Sequence, residues 1–137
     1  MKSSTWLRIA AGLLLFFAVG HTFGTFSPPR PDDPTIAAMH NYTFEIMGSH
    51  RTKWDFFFGL NLFLSANLLI LVVLTWQLSN LARRGVAVRP LIATLFAAAA
   101  IFAILGWTYF FIAPALTSTI AAVVLLIAYA TPSATSP

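Results

Sequence analysis

The sequence predicts an all-α fold: a four-helix transmembrane bundle with a short amphipathic helix in its first extracytoplasmic loop. Three observations predict it. Only 9% of the 137 residues are charged, against roughly 25% in soluble domains. Residues 9–26 and 56–82 form runs of 18 and 27 residues without a formal charge, each near or beyond the ~20 residues that a membrane-crossing helix needs. Beyond Arg89 the chain has no Lys, Arg, Asp, Glu or His. The runs lack the alternation of a barrel strand, and in hydrocarbon a helix is the other way to satisfy every backbone amide.

The spans are expected at about residues 7–26, 55–78, 91–111 and 114–130, with a structured loop at 27–54 and the whole chain as one integral membrane domain. The last two are divided by "FIAPALTS", where Pro114 suits the first turn of a new helix. Orientation follows from the basic residues. With the N-terminus inside, Lys2, Arg8, Arg83, Arg84 and Arg89 lie on the cytoplasmic side and Arg30, Arg51 and Lys53 outside. Both termini are then cytoplasmic. Trp6 and Trp76 fall near inner helix ends, and Trp54 and Trp107 near outer ones, where amphipathic rings prefer to sit. The first run also fits a signal peptide, with Lys2 and Arg8 before an apolar core and "AVG" before His21; retention as the first span is the expectation.

The polar chemistry is concentrated in one region. Asp32, Asp33, Glu45 and Asp55, with His21, His40 and His50, make up all the acids and histidines, and they fall between residues 21 and 55. A connection this long inside a compact domain is often functional or partly structured. "SPPRPDDPT" should run extended; Asp33 can then cap a helix with Pro34 in its first turn. Ile36, Met39, His40, Thr43, Phe44 and Met47 recur at helical spacing and Gly48 supplies a stop. The expectation is an amphipathic helix on the outer membrane face, turning Ile36, Met39, Phe44 and Met47 inward as a lid. Ser49 or Thr52 could cap the second span, with Asp55 in its first turn, where a carboxylate suits the helix dipole.

"GHTFG", "RTKWDFFFG" and "WTYFFIAP", with four spans in this order, resemble an uncharacterised family of small bacterial four-helix integral membrane proteins. The resemblance covers nearly the whole chain and implies a fold and a bacterial inner-membrane location, with no established activity. The layout is more loosely similar to DoxX-like proteins and to the small scaffold proteins of sterol synthesis.

His21 lies within an apolar span, where an imidazole needs a partner. Asp55 is the expected one, in a hydrogen bond tying the first two spans together. Gly20 and Gly24 form a small-xxx-small pair that lets a neighbouring helix approach. Polar groups of the second span, Asn61, Ser65, Asn67, Thr75 and Gln77, are expected to hydrogen-bond across helices, with Asn61 also placed to line a cavity.

Two function classes follow. The first is a binding or accessory subunit for a lipid-like ligand or a larger membrane partner, with His40, His50, Arg51, Trp54 and Asn61 as ligand-binding residues. The alternative is a membrane enzyme acting on an isoprenoid, sterol-like lipid or quinone at the outer leaflet, with His21, Glu45 and Asp55 as its acid-base residues. No metal site or cofactor is expected, because the histidine spacing matches no compact signature such as HExxH and only one histidine lies within a span. The absence of cysteine removes thiolate chemistry. The expected partners are membrane lipids, a larger membrane protein or further copies of the chain; nucleic acid is not among them, because the basic residues flank apolar runs.

Overall fold

In the computed structural model, which describes residues 2–28 and 33–131, the chain is all-α apart from one short hairpin. Four helices are long and apolar enough to cross a membrane: α1 (Ser3–Phe26), α3 (Lys53–Arg83), α4 (Arg89–Tyr109) and α5 (Ile112–Ala130). This is a multi-pass membrane protein. Between α1 and α3 lie a short helix, α2 (Pro34–Asn41), and two antiparallel strands, β1 (Thr43–Ile46) and β2 (Ser49–Thr52). The proline-rich stretch at 29–32, expected to run extended, lies outside the described residues.

The chain divides into two compact units. The bundle unit comprises Met1–Ala18 and Leu68–Pro137, the loop unit Val19–Asn67. All four long helices contribute to the core of the bundle unit: Leu7 and Ala10 from α1, Leu78 and Ala82 from α3, Ile92, Leu95 and Ala99 from α4, Ala122, Val124, Leu125 and Ala128 from α5. Five of these eleven residues are alanines, so small side chains contribute to the helix packing as they do in membrane helices. One close approach is at Gly106, where an added Cβ would stand 2.8 Å from the Ala115 Cα. Only two residues, Phe110 and Phe111, separate α4 from α5. Pro114 falls within the first turn of α5, which begins two residues earlier than expected. Ser3 donates to the Ala128 carbonyl (3.1 Å) and Ser79 to that of Ser4 (2.8 Å), fastening the start of α1 to α5 and to α3.

In the loop unit, α2 starts as the sequence predicts, with the Asp33 carboxylate accepting from the Thr35 amide (2.8 Å) and Pro34 in the first turn. It ends early. The helix expected to continue to Met47 stops at Asn41, and residues 43–52 form a β-hairpin with Thr43 opposite Thr52, Phe44 opposite Arg51, Glu45 opposite His50 and Ile46 opposite Ser49. The Lys53 amide donates to the Tyr42 carbonyl (3.0 Å), adding one more rung. The two-residue turn places Met47 at φ 52° and Gly48 at φ 77°, as a hairpin turn with two left-handed residues requires. Gly48 therefore turns a hairpin instead of stopping a helix. Met47 is fully exposed at its tip and belongs to no inward face, whereas Ile36, Met39 and Phe44 are half-buried.

Candidate functional site

The loop unit is organised by aromatic rings. Trp54, Phe57 and Phe58, at positions i, i+3 and i+4 of α3, share one helix face. His40, in the last turn of α2, stacks on Trp54 with centroids 4.9 Å apart and planes at 29°. Trp54 lies 6.0 Å from Phe57 and 6.3 Å from Phe58, and Phe58 meets Phe26 of α1 edge-on at 5.8 Å. Two further contacts join the hairpin to α3. Phe44 is edge-on to Phe56 at 6.0 Å, and the Lys53 ammonium sits 4.0 Å above the Tyr42 ring, a cation–π geometry.

The polar residues form three separate groups. On the hairpin, the Glu45–His50 register brings carboxylate and imidazole to 3.6 Å, both largely exposed. Beside them, Arg51 donates from its guanidinium to the His50 carbonyl (2.7 Å). At the start of α3, Thr52 and Asp55 form a reciprocal cap: the Thr52 amide donates to the Asp55 carboxylate (2.9 Å) and the Asp55 amide to the Thr52 hydroxyl (3.0 Å). Thr52 is thus the cap residue, while Ser49 lies in β2.

The third group lies along α1 and α3. His21 Nδ1 is 3.1 Å from the Ser65 hydroxyl, and the Asn61 side chain is a second hydrogen-bond partner of the ring. Asn61 and Ser65 are four residues apart and so present to the same side of α3. This corrects the expected His21–Asp55 bond. Asp55 precedes Ser65 by ten residues, about 15 Å along the helix at 1.5 Å per residue, and its carboxylate already caps Thr52. The imidazole finds its partner deeper in the span, where Ser65 is buried.

Other polar groups of α3 also depart from expectation. Asn67 and Thr75 donate to the carbonyl one turn back on their own helix, those of Phe63 and Leu71, the local option that competes with interhelical bonding, while Asn61 donates to the Phe57 carbonyl and also partners His21 as expected. The Gly20–Gly24 pair meets no neighbour among the described residues: a Cβ added at either would have nothing within 4 Å.

The residues singled out from the sequence are therefore all in the loop unit but occupy different places. His40 and Trp54 join in one stack, Glu45, His50 and Arg51 share the hairpin, Asp55 caps α3, and His21 pairs with Ser65 and Asn61. Among the described residues, no three His, Asp or Glu side chains are grouped to hold a metal ion. Sequence reasoning did not single out Phe26, Tyr42, Phe58 or Ser65 as site residues. Only the helical spacing of Trp54 and Phe58 hinted at a shared face. Compared with models of protein families, with curated proteins and with solved structures, the chain matches none.

Proposed function

We propose that the protein is a binding or accessory component of the bacterial inner membrane whose loop unit holds a lipid-like amphiphile at the outer leaflet, with both termini cytoplasmic. The observation that supports this is the stack running from His40 through Trp54 and Phe58 to Phe26. It belongs to a unit in which no described hydrophobic side chain is buried. Rings ordered against one another yet open to the surroundings suit an apolar ligand body. The polar hairpin with Glu45, His50 and Arg51 suits its head group. The resemblance to small four-helix bacterial membrane proteins fits this reading and adds no reaction to it.

One observation favours an enzyme as the second reading. Ser65, His21 and Asn61 place a hydroxyl beside an imidazole that has a second partner, an order found in activated nucleophiles. The acid-base version with His21, Glu45 and Asp55 needs a rearrangement, since the three have separate partners.

Native mass spectrometry of protein gently extracted from its own membrane tests the proposal. Wild-type protein is expected to carry an apolar small molecule, and Trp54→Ala to lose it while remaining folded. Wild-type protein carrying a larger membrane protein and no small molecule overturns the ligand reading. If the recovered compound is turned over by wild type but not by Ser65→Ala, the enzyme reading replaces it.

A further inference from the structure

The bundle unit carries Lys2, Arg8, Arg83, Arg84 and Arg89 and no Asp or Glu. Its cations therefore have no carboxylate side chain of their own unit to pair with. These basic residues gather where α1 and α4 begin and α3 ends. The serine bonds described above tie this end together, Ser4 to Ser79 and Ser3 to Ala128.

Two of the five guanidinium or ammonium groups are held in place by rings. Arg8 lies with its Cζ 5.0 Å from the centre of the Trp76 ring, and Arg89 with its Cζ 4.6 Å from that of Tyr129, the residue after Ala128. Stacking fixes the guanidinium plane and leaves its edge free to donate. Arg8 stands one turn further along α1 than Ser4. Its Nε is shut off from solvent and has no hydrogen-bond partner among the described residues. A buried guanidinium donor without an acceptor is costly, more so at the margin of a bilayer. The terminal nitrogens of Arg8 are not shut off in this way, and an anion with at least two oxygens can engage them in two parallel bonds.

We propose that this end of the bundle unit is a binding site for the phosphate of an anionic phospholipid, with Arg8 and Arg89 as the oriented donors and Arg84 and Lys2 adding charge. Phospholipid is the source because the helices that carry the two oriented donors also carry exposed apolar side chains close to them in sequence, Ile9 on α1 and Leu91 on α4, which acyl chains cover. The rings that hold the two guanidinium groups, Trp76 and Tyr129, are of the types that gather at head-group level in membrane proteins. This site is independent of the proposed ligand platform in the loop unit.

The test is native mass spectrometry of full-length protein offered equal amounts of phosphatidylglycerol and phosphatidylcholine. Wild type is expected to retain phosphatidylglycerol preferentially. Arg8→Gln and Arg89→Gln are each expected to lower that retention about fivefold, and the pair about 25-fold, the effect of roughly one basic residue's attraction to an anionic surface per substitution. Arg8→Lys keeps the charge but loses the two-bond edge, so it should lie between wild type and Arg8→Gln; it replaces Arg8→Gln should that variant fail to elute as a monodisperse species. Equal retention of the two lipids, or full retention by the folded double variant, overturns the proposal. Displacement of the lipid by millimolar inorganic phosphate also overturns it, by showing a site for a free anion.

Discussion

The bundle unit and the loop unit are built from the same two long helices, α1 and α3, yet they are stabilised in different ways. In the bundle unit the halves of α1 and α3 join α4 and α5, and every buried hydrophobic side chain among the described residues lies there. Among the described residues of the loop unit, Ser65 alone is buried. Order there comes from stacked rings, a hairpin turn and two side-chain caps. Charge divides the same way, with five basic residues and no acids in one unit and three basic residues with all four acids in the other. The difference teaches that one pair of spans can serve as scaffold over half its length and as the support of a chemically mixed surface over the other half.

Substitutions of similar kind in the two units should therefore have unequal effects. The largest gap is expected for side-chain truncation. Leu125→Ala empties a fully buried position and should cost about 2–5 kcal/mol, whereas Phe63→Ala, at a residue 71% exposed, should stay within about 0.5 kcal/mol. Unfolding in detergent followed by circular dichroism gives both values, and equal costs would break the contrast. Next come the glycines. Gly106→Val drives a side chain into the Ala115 backbone and should cost about 1–3 kcal/mol. Gly20→Val meets open space and should leave the unfolding midpoint nearly unchanged, so a large loss there would mean that another chain covers that face.

Smaller effects are expected within the loop unit. Asp55→Ala removes half of the reciprocal cap with Thr52 and should cost about 0.5–2 kcal/mol, read as faster amide exchange in the first turn of α3. Ser65→Ala removes one bond to His21 and should cost about 0.6 kcal/mol, the mean for hydrogen bonds between membrane helices. A loss several times larger would make the His21–Ser65–Asn61 group a principal fastener of the loop unit.

The spans were legible in the sequence because crossing hydrocarbon demands a long uncharged run, a property of composition alone. Asp33 before Pro34, and Thr52 three residues before Asp55, were legible as caps because a cap is made by residues adjacent in the chain. The hairpin was not. Ile36, Met39, Phe44 and Met47 fit a helical repeat, and the left-handed conformation of Met47 is not announced by its side chain. The close approach at Gly106 was hidden because its cause, Ala115, lies on the next helix. His21 was correctly expected to need a partner. The partner itself was misjudged because Asp55 is engaged locally, while Ser65 is brought to the ring by helix packing. Local chemistry could be read from the chain, and choices among distant partners could not.

On the proposed reading an amphiphile completes the loop unit, whereas the core of the bundle unit is closed by its own side chains. Hydrogen–deuterium exchange on the full-length protein, before and after the extracted protein is stripped of small molecules, tests this most directly. Stripping should speed exchange at residues 34–52 and leave 92–106 unchanged. Unchanged exchange at 34–52, or equal acceleration in both segments, would contradict it.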